Sequence, residues 1–238
     1  MTKVIYIRYC FIMITMCAAF FTKAQTVVLH FPVQVNGKTL AADSSYTNAH
    51  GESYTVTRLK FYISNISLDD KKSNAVYLVD AFSADSVVLQ LPKGEYHTIR
   101  FTLGIDSILN CSGAQDGALD PLNGMFWTWN SGYIFFKMEG YSPASAADLH
   151  RIEHHIGGYR SPYNAAKQLS FTLPGKLAVS DDHTAHIYIQ ANLDQYWKSP
   201  NGELKIADNA LVMVPGEFAV KAVGQFKEIF SVTGIRSN

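Results

Sequence analysis

With 20 Lys and Arg against 20 Asp and Glu in 238 residues, the chain carries no net formal charge. A nucleic-acid partner would demand a basic surface, and this balance does not supply one. A hydrophobic fraction of 47% with only three cysteines points to a domain held by a core and not by a disulfide framework.

The first segment, "MTKVIYIRYCFIMITMCAAFFTKA", places Lys3 and Arg8 ahead of an apolar run at residues 10–21 and ends on small residues before a cut after Ala24. The run is short for a membrane span, so residues 1–24 are expected to be a secretory signal peptide and residues 25–238 one exported domain, periplasmic or at the cell surface, with no transmembrane anchor. Cleavage removes Lys3, Arg8 and Lys23 and no acid, leaving a charge of 17 − 20 = −3. It also removes Cys10 and Cys17, so Cys111 stands alone and cannot form an intramolecular disulfide.

Strand-like segments then follow at short intervals: residues 27–33, 54–68, 75–82, 86–91, 95–105 and 132–140, and, after a polar stretch, 149–159, 167–173 and 183–193. They are rich in Val, Ile, Phe, Tyr and Thr and alternate with period two. Turn chemistry separates them at Asn36-Gly37, Pro92-Lys93-Gly94 and Pro174-Gly175. The pattern predicts an all-β fold, a single antiparallel β-sandwich. Near the end, Phe218, Ala222, Phe226 and Phe230 recur every four residues, which predicts a small C-terminal helix packed on the sandwich.

The longest stretch without strand or helix character is "DSILNCSGAQDGALDPLN", residues 106–123. Loops of this length inside a compact domain are usually functional. Asp106, Asn110, Asp116 and Asp120 offer hard oxygen donors suited to calcium, although the spacing matches no EF-hand and such residues also cap helices and form Asx turns. In the segment that follows, alternation puts Met125, Trp127 and Trp129 on one face and Phe126 and Thr128 on the other, an arrangement typical of a core anchor.

The histidines divide by strand geometry. Ile152, His154 and Ile156 share one face, Arg151, Glu153 and His155 the other. His154 reads as a hydrogen-bonded core residue, and neutral His155 as a candidate metal ligand. His30 sits in the first strand, where packing or a site shared with His155 are both open. His183 and His186 fall on opposite faces, and His186 reads as a surface or boundary residue. Cys111 is either a soft thiolate ligand or a small apolar side chain. No nucleophile elbow, zinc-protease motif or phosphate loop occurs, so no enzymatic activity is expected.

"FYISNISL" (residues 61–68), "FTLGIDSILN" (101–110), "DPLNGMFWTWNSGYIFFKMEG" (120–140) and "HIGG" (155–158) occur together in an order and spacing that resemble the MbnP-like copper-binding proteins. The resemblance spans about residues 27–230, and its most specific part contains Trp127, Trp129 and Tyr133. It implies an exported β-sandwich, copper as cofactor bound through histidines and a tryptophan oxidised to kynurenine, and a di-haem cytochrome c peroxidase-like partner. His155 matches the family histidine before hydrophobic-Gly-Gly. Cys111 stands where a histidine is common, and no histidine follows either tryptophan at the second position. The alternative reading is a metal-free or calcium-stabilised extracytoplasmic module that binds a protein or glycan.

Overall fold

The computed structural model describes residues 25–237 apart from residues 43, 84–85 and 129–130. The expected signal peptide and Trp129 therefore lie outside the described residues. Two sheets carry the fold. The smaller has the order Lys38–Thr39, Val33–Val35, Ala185–Asn192, Gln25–His30, Val87–Leu91, with Phe230–Ser237 also pairing Ala185–Asn192. The larger runs Lys167–Val179, Gly94–Leu103, Ser53–Leu68, Gly132–Tyr141, Arg151–Gly157, Leu211–Val212, with short strands added to Ser53–Leu68 and Gly132–Tyr141.

Most pairings are antiparallel, as the turn-linked pattern predicts. Gln25–His30 and Val33–Val35 nevertheless run parallel to Ala185–Asn192, and Arg151–Gly157 runs parallel to Leu211–Val212, so both sheets are mixed. Parallel neighbours need long crossovers, and here they join the first strands to one late in the chain.

Alternation orients the smaller sheet: Val27, Leu29, Val87, Leu89, Ile187 and Ile189 turn inward and are buried, while Val28, His30, His186 and Tyr188 turn outward. In the larger sheet Ser53–Leu68 and Gly132–Tyr141 are buried along nearly their whole central lengths. Both faces of these strands are therefore covered. Phe61, Phe101 and Phe136 point into the sandwich, where they meet Phe31, Phe226 and Phe230 with ring centroids 5.3–6.1 Å apart. Tyr62 and Tyr133 point the other way, beneath residues 106–124.

Asn36 and Gly37 have φ of 49° and 72° and join two short strands, the left-handed pair that a two-residue hairpin turn requires. Pro174-Gly175 does not end its strand. Both residues lie within Lys167–Val179, where the register shifts between Thr172 and Leu177, so the missing proline N–H falls in a bulge that needs no donor. The late helix, Glu217–Ile229, buries Ala219, Ala222, Phe226 and Ile229. Phe230 is no longer helical (φ −98°, ψ 140°); it opens a final strand of β-branched residues that the four-residue repeat concealed.

One close approach fixes the central pairing. A Cβ on Gly140 would lie 1.9 Å from the Thr55 carbonyl oxygen, at the register shift between Gly132–Tyr141 and Ser53–Leu68. Backbone cannot yield as a side chain can, so Gly140→Ala is expected to lower stability by about 1–3 kcal/mol or more. Gly175→Ala, whose nearest contact is 3.7 Å, serves as the control in urea denaturation.

Candidate functional site

The loop at residues 106–124 is organised by its own side chains and by tyrosines from the sheet. Asp106 accepts from the Leu109 N–H at the start of helix Ser107–Cys111, and Asp120 accepts from the Leu122 N–H. Asn110 is buried and its Oδ1 accepts from the Tyr133 N–H at 2.9 Å. Asp116 precedes a 3-10 turn without a side-chain bond of its own. Three of the four residues considered for calcium are thus committed to caps and backbone, and among the described residues no group of three or more His, Cys, Asp or Glu is placed to hold a metal ion.

The Tyr133 hydroxyl lies 3.0 Å from the Gly113 carbonyl and 2.8 Å from that of Leu119, and the Tyr62 hydroxyl donates to the Ala118 carbonyl at 3.0 Å. Burial raises the pKa of both phenols, so they remain protonated donors. Tyr133 therefore serves as a peg for the loop.

Beyond the loop, Met125 is fully buried, whereas Trp127 is half-buried, as is Phe126 on the face that alternation sets opposite to it. The Trp127 ring lies over Gly157, where a Cβ would come within 2.8 Å of it. That contact explains why glycine follows His155-Ile156. The indole N–H of Trp127 is buried without a partner.

His155 lies opposite Lys137 across the antiparallel pair, with Glu139 two residues along on the same face. Its Nε2–H donates to Glu139 Oε1 at 2.8 Å, since a carboxylate only accepts, and in the neutral ring Nδ1 then carries the lone pair. Nδ1 is buried and has no partner. Glu139 also receives Lys137 Nζ at 3.1 Å and the Arg58 guanidinium, and Lys137 donates to the Gly124 carbonyl at 2.8 Å. Burial by itself would raise the Glu139 pKa, but hydrogen bonds from His155 and Lys137 and the charges of Lys137 and Arg58 outweigh it and hold it at about 2.

His154 faces the core, as alternation predicts. Its Nε2–H donates to the Asn209 carbonyl at 2.8 Å, so Nδ1 accepts from the Tyr196 hydroxyl at 2.7 Å. Burial lowers its pKa to about 4 despite the Asn209 bond, and it is neutral at pH 7. Cys111 is an exposed free thiol, and a hydrogen bond with it raises the pKa of the Tyr159 hydroxyl.

His30 is placed in the other sheet, not with His155. Its Nε2 lies 2.9 Å from His186 Nδ1, its Nδ1 lies 3.1 Å from Ser86 Oγ, and its ring stacks on Tyr188. Burial, then the nearby His186, lowers the His30 pKa. The sequence reading missed His186 and Glu139 as neighbours of candidate ligands. For Glu139 a signal existed, because "KMEG" alternates Lys137 and Glu139 onto one face ahead of a strand carrying His155 on its outer face.

Fold and site together define a mixed β-sandwich with one long loop pegged by a signature tyrosine, and with a carboxylate-held histidine under the segment that follows. The family model for MbnP matches residues 24–214, and the chain belongs to the MbnP family. Among solved structures it is similar to MbnP from Methylosinus trichosporium, at 15% identity and a TM-score of 0.53, covering 90% of this chain and 99% of that one. At that identity the likeness shows the fold alone. No curated protein sequence matches.

Replacing Tyr133 by Phe removes the donor shared by two loop carbonyls and is expected to cost about 1–3 kcal/mol, with faster proteolysis within residues 106–123. Limited proteolysis beside a urea melt reads both effects. For Glu139, a folded-state pKa below the unfolded value contributes stability that is present above about 4.5 and lost as pH falls toward about 2. Glu139→Gln is therefore expected to flatten the stability profile in that window, measured as the urea midpoint against pH.

Proposed function

We propose that this protein is an exported MbnP-family binding protein that takes up copper through His155. The observation that carries this reading is the state of the imidazole: Nε2–H is held by Glu139 while Nδ1 is buried without a hydrogen-bond partner. A carboxylate on the distal nitrogen fixes the tautomer and raises the basicity of the ligating one.

His155 would hold the ion through Nδ1. Glu139, kept ionised by Lys137 and Arg58, would keep the ring turned toward it. The bound ion would supply a soft Lewis-acid centre. An imidazole nitrogen is a donor suited to copper, which is the chemical support for this ion over a hard cation. Trp127 packs beside this strand with its indole N–H unpartnered, and it is the tryptophan on which a di-haem cytochrome c peroxidase-like partner would act. Export to the periplasm or cell surface belongs to the same proposal, supported by residues 1–24 of the sequence.

Anaerobic titration of the mature protein with Cu(I) against a competing chelator is expected to give sub-micromolar affinity that weakens at least about tenfold in His155→Ala, and millimolar affinity in the wild type would sink the reading. Glu139→Gln is expected to weaken binding in the same direction with His155 intact. In protein from the native host, intact mass raised by about 4 Da on Trp127 would reveal kynurenine.

A second reading, a metal-independent protein-interaction module, is favoured by Ile108 and Leu122. Both are exposed, at 78% and 93%, on a loop that is itself pegged in place.

A further inference from the structure

A second pair of imidazoles lies on the other sheet, and nothing in the family signature draws on it. We propose that His30 and His186 form a two-histidine site for a divalent transition-metal ion of the copper–nickel–zinc class, separate from His155, with Ser86 as the residue that orients His30.

The backbone builds this pair. Gln25–His30 and Ala185–Asn192 run parallel with Val28 opposite His186 and His30 opposite Tyr188, so His30 and His186 are diagonal neighbours on the outward face. Their facing nitrogens, His30 Nε2 and His186 Nδ1, are 2.9 Å apart. Two metal–nitrogen bonds of about 2.0–2.1 Å place their nitrogens about 2.9 Å apart at a right angle and about 3.3 Å apart at a tetrahedral one. The observed spacing is already that of adjacent ligands on a tetragonal ion. Binding requires each ring to rotate about its Cβ–Cγ bond, so that the two nitrogens, now joined through one shared proton, turn their lone pairs onto one point.

The surroundings favour this use. Ser86 Oγ lies 3.1 Å from His30 Nδ1, and in the tautomer where that nitrogen donates, Nε2 keeps its lone pair. This is the outer partner that ligating histidines carry. Tyr188 stacks on the His30 ring with centroids 4.6 Å apart and planes within 14°, which limits the ring's freedom at little cost in reach. A cavity of about 340 Å³ lined by His30, Pro32, Thr39, Ser86 and Tyr188 lies on the Ser86 side of the His30 ring and leaves that ring room to turn.

No net proton is released in this tautomer. The proton that His186 Nδ1 shares with His30 Nε2 moves through solvent to His186 Nε2, and both imidazoles stay neutral as each gives a lone pair to the ion. Arg236, the register partner of His186, is exposed to solvent, which screens its charge from a bound dication.

The test is Cu(II) titration of the full mature protein followed by electron paramagnetic resonance, with Zn(II) titration followed by imidazole NMR in parallel. Expected are an axial Cu(II) spectrum with hyperfine splitting from two nitrogens, Kd below about 10 µM, and Zn(II) shifts confined to His30 and His186. His30→Asn and His186→Asn should each weaken binding at least about tenfold, and Ser86→Ala should weaken it in the same direction. Thermal melts confirm that the variants fold, and the NMR arm on wild-type protein does not depend on them. His155→Ala should leave this signal unchanged. The proposal is overturned if the spectrum survives both asparagine variants, if Zn(II) shifts other histidines instead, or if the signal is lost in His155→Ala. The last result would leave the copper reading of His155 standing, whereas loss of Cu(I) affinity without loss of this signal would separate the two sites.

Discussion

The long loop brings a set of backbone carbonyls onto the sheet, and buried carbonyls need donors. Tyr133 and Tyr62 supply them, projecting from adjacent strands on the face opposite the aromatic core. Their hydroxyls make the loop a second cover layer, which is why the two central strands are buried on both sides although the protein is a sandwich of two sheets. The rest of the candidate site is built on that layer. Lys137 reaches the Gly124 carbonyl at the loop's end, Trp127 settles on Gly157, and His155 becomes buried on a face that would otherwise meet water.

Burial then imposes a second requirement on the same face. A carboxylate taken out of water is costly unless it is paired and hydrogen-bonded, and Glu139 has Lys137, Arg58 and His155 around it. That concentration of partners fixes the His155 tautomer as a by-product. Across the strand His154 meets the opposite environment and answers it with one donor and one acceptor, Asn209 and Tyr196. Two adjacent histidines thus end with different fates, one closed on both nitrogens and one with a nitrogen left over. The His30–His186 pair has a third character, outward-facing and stacked, on the other sheet.

Much of this was legible in the residues. Period-two alternation separated His154 from His155, set Val27 and Leu29 against Val28 and His30, and placed Met125 toward the core. Asn36-Gly37 announced its hairpin. Pro174-Gly175 carried the same turn chemistry, yet the chain passed through it as a bulge, because a turn signal states what the backbone tolerates and not whether a partner strand continues beyond it. Phe230 misled in a related way: it extended the helical repeat by one step, while the β-branched residues after it paired with Ala185–Asn192.

By itself the sequence determined the β class, the opposite faces of the histidines on their strands, and the segments that mark the family, because these depend on side-chain period and local turn preference. Only the tertiary structure decided which outward faces meet. His30 and His186 are 156 residues apart in the chain, and Glu139 and His155 are 16 apart. Their contacts follow from strand order and register, which are set by how the whole core packs and not by any local run of residues.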